Sequence, residues 1–165
     1  MSRSRPAWAT LGAVLLLALT VATAASIAAE APTRPEYVAQ LEQICKPGSE
    51  ATQRAVHGMR SDIRSERLQL AATKFAKAKR IFAHTVSLIS VVPRPQADRA
   101  TLARWFSALG RETVYLGRSA AALRAEDVAR FQRVSTQFFR EGSKANNVVV
   151  SFGFNYCDFQ SSRFE

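Results

Sequence analysis

The stretch LARWFSALGRETVYLGRSAAAL, residues 102–123, decides the fold class. On a helical wheel its Leu102, Trp105, Phe106, Leu109, Leu116, Ala120 and Leu123 fall within about 100° of one another. Period-two alternation would split that apolar set between two faces, so the segment reads as a long amphipathic helix. Arg104, Arg111 and Arg118 recur one heptad apart on the side opposite Leu102, Leu109 and Leu116.

The same periodicity extends in both directions. Downstream, the acids of Ala125-Glu126-Asp127 suit the positive start of a helix expected to bury Val128, Phe131, Ser135, Phe138, Gly142, Ala145, Val149 and Phe152. Upstream, Asp98 is placed to cap the 102–123 helix, and Pro93 and Pro95 forbid continuation from the helix before it. That earlier helix carries Leu68, Phe75, Phe82 and Ile89 one heptad apart, with Ala72, Ala78 and Val86 between them. A short first helix is marked by Tyr37, Leu41 and Ile44 and is expected to stop at Lys46-Pro47-Gly48. Ser49 then offers an N-cap for a helix with Val56, Met59 and Ile63 on one face. The pattern weakens around Ser61-Asp62 and Ser65-Glu66, so residues 49–91 form either one bent helix or two. The fold expected is all-α: an antiparallel four- to five-helix bundle.

At the far end, ANNVVVSFGFNYC (residues 145–157) continues the last helix through Phe152, with Val148 and Val150 outside the stripe, as in a helix end covered on several sides. After Gly153 the phase is lost, and Phe154-Asn155-Tyr156 suits a short extended segment that folds back. Asp62–Leu68 (DIRSERL) and Ala122–Val128 (ALRAEDV) look alike, and each precedes an apolar-heptad helix, which raises a duplicated helical hairpin beside mere convergence of helix junctions.

Residues 1–29 read as a targeting segment: Arg3 and Arg5, then an uncharged run from Pro6 to Ala29 containing LGAVLLLALTVA. Two readings stand, a signal peptide cut near Ala24 or Ala25 and an uncleaved N-terminal anchor helix. Either puts residues 30–165, the bundle domain, outside the cytoplasm. Cys45 and Cys157 are the two cysteines of the chain. In an oxidising compartment such an isolated pair is most simply one disulfide, worth about 4–5 kcal/mol at most on the loop-entropy model.

Without Arg3 and Arg5 the chain holds 21 basic against 13 acidic residues, a net charge of +8 that favours polyanions. Arg130, Arg133, Arg140 and Lys144 lie opposite Val128, Phe131 and Val149, forming a second basic ridge beside that of Arg104, Arg111 and Arg118. The ridges read as a solvated face or as contacts for an anionic wall polymer or membrane surface. No aromatics interleave with them to stack on bases, which disfavours nucleic acid. Leu70, Ile81 and Leu88 form a second apolar stripe on the 68–89 helix, fit for a central position in the bundle or for a homodimer contact.

Residues that could carry chemistry are sparse. His57 and His84 lack the spacing of a helical zinc site or a haem attachment, and the carboxylates fall where helix capping accounts for them. No catalytic residue, metal site or cofactor is expected. The combination EYVAQLEQICKPG, SLISVVPRPQAD with LARW, and ANNVVVSFGFNYC resembles uncharacterised exported two-cysteine helical-bundle proteins of high-GC actinobacteria. That resemblance implies that Cys45 and Cys157 are partners and that the hinge at Pro93 to Pro95 recurs, and it carries over no activity. The function expected is that of a non-enzymatic binding or structural module of the cell envelope, with electrostatic docking through the arginine ridges as the alternative.

Overall fold

The computed structural model describes residues 31–159. The expected signal or anchor segment, residues 1–29, lies outside them. Helix α1 spans Arg34–Val56, α2 Met59–Arg64, α3 Leu68–Ser90, α4 Arg99–Arg124 and α5 Val128–Val149, with short 3-10 turns at Gln96–Asp98 and Val150–Phe152. No strand occurs among the described residues. Four long helices thus carry the fold, and α2 is a single short turn-helix between α1 and α3.

Each helix begins and ends for local reasons. At the start of α1, Thr33 and Glu36 form a capping box: the Thr33 N–H donates to Glu36 Oε2 at 2.8 Å, and the Glu36 N–H donates back to Thr33 Oγ1. Pro93 and Pro95 separate α3 from α4 as their missing N–H groups require. Asp127 caps α5 by accepting the Arg130 N–H at 2.8 Å. The core is lined by Tyr37, Leu41, Phe75, Phe82, Ile89, Leu102, Trp105, Leu109, Leu116, Leu123 and Phe138, the apolar heptad positions of the four long helices.

Several expectations need correction. The first helix does not stop at Lys46-Pro47-Gly48 but runs through Pro47 to Val56, with Ser49 buried inside it rather than capping a new helix. Tertiary packing overrides the local break. Gly48 lies so close to α3 that a Cβ there would come within 2.2 Å of Thr85 Oγ1, and Cys45 is tied by its disulfide. The helix ends instead at His57, before Gly58 at φ 70°. Asp98 stands at the α4 N-cap without a capping bond, because Arg34 takes both of its carboxylate oxygens at 2.6 and 2.9 Å. Val128 and Val150 are exposed rather than buried, as are Leu70 and Leu88 of the second stripe on α3. The segment after Gly153 turns rather than extending as a strand.

Long helices pack in chain order, α1 on α3, α3 on α4 and α4 on α5, while α1 and α5 have no comparable interface with each other. The C-terminal return bridges that edge. Cys157 bonds Cys45, and the Glu42 carboxylate accepts the backbone N–H groups of Asn155 and Tyr156 at 2.8 and 3.1 Å. Phe154 stacks on Trp105 and on Phe152, whose ring lies under the Arg34 guanidinium.

The two look-alike segments share one helix stop. Arg67 N–H donates to the Asp62 carbonyl and Glu66 N–H to that of Ile63, while Asp127 N–H donates to Ala122 and Glu126 N–H to Leu123. Both are Schellman motifs, with glutamate in the left-handed position at φ 57° and 55°. A side chain there costs about 1–2 kcal/mol, partly offset by the greater unfolded-state freedom of glycine. Glu66→Gly is therefore expected to stabilise the domain by about 0.5–1 kcal/mol in urea denaturation. A gain of less is expected for Glu126→Gly, which also loses the bond from Gln69. Equal or lower stability of Glu66→Gly would contradict the strain.

Candidate functional site

The unpaired edge between α1 and α5 is filled at one end by the C-terminal return. At the other end it is left as an apolar pocket of about 360 Å³, within the roughly 300–1,000 Å³ usual for small-molecule sites. One wall is Val56, Met59 and Ile63, and the facing wall is Phe131, Ser135, Phe138 and Phe139 of α5. Phe75 and Leu116 lie between them. Among the described residues of the lining, Arg60 is the one that is titratable.

A polar joint holds the α2 wall. Lys74 on α3 donates to the Asp62 carboxylate and to the His57 carbonyl at 2.8 Å, and Arg67 donates to Asp62 at 2.7 Å. These hydrogen bonds, that of Lys74 first, hold the Asp62 carboxyl below the usual carboxylate range. One ammonium thereby ties the end of α1, the middle of α2 and the first turns of α3 together.

A second concavity is a shallow trough on the outer side of α4 and α5. Arg104, Ser107 and Arg111 line it from α4, and Lys144 and Asn147 from α5. Arg111 donates to Glu141 at 2.6 Å and to Ser107 at 2.8 Å, and Lys144 donates to Glu141 at 2.8 Å. These partners hold the Glu141 carboxyl below its usual range.

Next to Arg111 in the chain is Glu112, which is 2% exposed. Its carboxyl fits against Gly142, where a Cβ would come within 2.4 Å of Glu112 Oε1. Burial, and secondarily the charge of Glu141, pushes its pKa up to about 8. Glu112 Oε2 has no hydrogen-bond partner in the protein, and neither do Trp105 Nε1 and Ser119 Oγ, one heptad away on either side along α4. Carrying the Glu112–Gly142 contact one heptad toward the α4–α5 turn sets Ser119 across from Ser135, whose Oγ is also buried and unpartnered.

Of the residues singled out from the sequence, Cys45 and Cys157 are bonded to each other. Arg104, Arg111 and Lys144 meet in the trough, whereas Arg118 lies over the Tyr115 ring, and Arg130, Arg133 and Arg140 are exposed along α5 outside it. His57 and His84 are exposed, and no group of three metal-binding side chains occurs among the described residues. Glu112, Glu141 and the pocket were not anticipated. Glu112 nonetheless lies one heptad from Trp105, on the apolar arc of α4, and Ser135 was a polar residue on the buried stripe of α5. The fold and its concavities define a disulfide-closed helical bundle with a lateral apolar pocket. Comparison with protein-family models, curated proteins and solved structures finds no match.

The raised Glu112 pKa makes stability depend on pH with a definite sign. The folded state holds this proton when the unfolded chain has lost it, so the contribution is complete below about pH 4.5 and declines until about pH 8. At about 1.4 kcal/mol per pH unit, Glu112→Gln, which keeps the shape without the charge, is expected to stabilise the domain by roughly 3 kcal/mol at pH 7. Little difference is expected near pH 4, and denaturation at both pH values checks the slope. A pH-independent effect would place the carboxyl in water.

Proposed function

We propose that the domain is a binding module of an oxidising compartment outside the cytoplasm that takes up a small apolar ligand between α1–α2 and α5. The observation that carries this reading is the pocket of about 360 Å³ with its aliphatic and aromatic walls. That Arg60 is the one titratable side chain among the described lining residues supports binding over acid–base or nucleophilic catalysis. The Cys45–Cys157 bond supports the compartment. The expected outcome is that the oxidised domain takes up the neutral fluorophore N-phenyl-1-naphthylamine with a rise in emission, and that Ser135→Phe, which fills the pocket, abolishes it. Circular dichroism checks that the variant keeps its helices. Uptake that Ser135→Phe leaves unchanged would move the site elsewhere.

A second reading has its own observation, the convergence of Arg104, Arg111 and Lys144 on one trough. In it, this face docks on an anionic envelope polymer or membrane surface. Retention on equimolar phosphatidylcholine–phosphatidylglycerol vesicles is then expected at low salt, to weaken in Arg104→Gln/Lys144→Gln, and to vanish at about 0.5 M salt. Retention that survives that salt would exclude electrostatic docking.

A further inference from the structure

We propose that residues 160–165, QSSRFE, dock over the apolar pocket with the Phe164 ring inside it, so that an apolar ligand enters by displacing this segment. The docking stands on the course of the C-terminal return, and the displacement rests on the reading of the pocket as a ligand site.

The return advances along α1 toward the pocket. Phe152 lies under Arg34 at the start of α1, the N–H groups of Asn155 and Tyr156 meet Glu42, and Cys157 meets Cys45. Phe159 then packs edge-on against Phe82 of α3, with ring centroids 4.8 Å apart. Helix α3 runs antiparallel to α1, since Gly48 faces Thr85 and the His57 carbonyl accepts from Lys74, so Phe82 lies past Cys45 in the direction of Val56. One heptad further the same way is Phe75, which lines the pocket together with Val56 and Met59.

Reach and spacing agree with that course. Phe75 is about 10 Å from Phe82 along the α3 axis. The five residues from Phe159 to Phe164 span up to about 17 Å when extended. Phe154, Phe159 and Phe164 recur five residues apart, and the first two each pack on an aromatic of the bundle, Trp105 and Phe82. Phe164 is the one apolar side chain in QSSRFE, and the pocket offers it Phe75, Phe131 and Phe138, where edge-to-face contact adds to burial. Arg60, exposed among the described lining residues, is complementary in charge to Glu165 beside Phe164. The apolar run of residues 11–22 is a poorer occupant, because it precedes Arg34, and α1 sets that end about 33 Å from Val56 along its axis.

The test uses the oxidised full chain and its Phe164→Ala variant. NOEs are expected from the Phe164 ring protons to the methyl groups of Met59 and Ile63, and these methyls are expected to shift in Phe164→Ala as the ring current is lost. N-phenyl-1-naphthylamine is expected to bind Phe164→Ala about fivefold more tightly than wild type, as for a segment docked about four-fifths of the time. Phe164→Leu, which keeps an apolar side chain, is expected to fall between the two. Absence of Phe164 NOEs to these methyls would overturn the docking. NOEs to them from residues 11–22, or between copies carrying different isotope labels, would overturn it in favour of the N-terminal segment or a second copy. Phe164 NOEs with equal fluorophore affinity in wild type and Phe164→Ala would overturn the displacement. Phe164 NOEs with no fluorophore uptake by either form would uphold the docking and remove the ligand-site reading, so the two fail separately.

Discussion

The C-terminal return is the constraint on which the rest of the structure depends. In a closed four-helix bundle the first and last helices pack together and bury each other's apolar faces. Here α1 and α5 form no extensive interface, and residues after Val149 make the main connection instead. The Cys45–Cys157 bond supplies a covalent link across 112 residues, and Glu42 accepts the backbone N–H groups just before it. Successive N–H groups converging on one carboxylate form the kind of anion-holding concavity usually seen at phosphate sites. The internal glutamate takes that place, so the tail is fixed in direction as well as in distance. Phe154 can then complete the aromatic stack on Trp105.

A second constraint runs along α4. Heptad positions that elsewhere hold leucine are occupied by Trp105, Glu112 and Ser119, each with a buried polar atom lacking a partner in the protein. Gly142 leaves room opposite Glu112, whose carboxyl would have to shift to admit a side chain there. Polar atoms in this seam lower stability relative to an all-leucine interface, and they fix register, since sliding α5 by one turn would drive a side chain into Glu112. Glu141 differs although it lies close by. Arg111 and Lys144 reach it from the surface, so it keeps its charge while Glu112 keeps its proton.

How much of this was legible in the sequence depends on whether the cause is local. The long amphipathic stretches of α3, α4 and α5, the stop at Pro93 and Pro95 and the pairing of Cys45 with Cys157 follow from periodicity, proline chemistry and cysteine count. The passage of α1 through Pro47 does not, because the reason lies in α3, where Thr85 meets Gly48. Asp98 looked like a cap and serves Arg34, a partner far off in sequence. The pocket is the least legible feature of all. Val56, Met59 and Ile63 carry the signature of a core face, and only the gap between them and α5 turns them into a lining. The basic ridges were legible as helix faces, but which arginines converge depends on how α5 is rotated against α4.

Fold and candidate site therefore share one cause. The edge left open between α1 and α5 is covered by the tail at the disulfide end, and at the other end it is bordered by α2. A helix of six residues does not persist by its own hydrogen bonds. It is held by Asp62 between Lys74 and Arg67, and by the turns at Gly58 and Glu66 on either side. The pocket thus has one wall on a long helix packed along its length and one on a short helix fixed mainly by ion pairs. Local opening free energies follow buried apolar contact, so the α2 wall is the element that yields first. It can yield without disturbing the disulfide, the aromatic stack or the α4 seam, all of which lie on other elements. A bundle built this way has one end closed by covalent and aromatic contacts and another bounded by a short helix held by ion pairs.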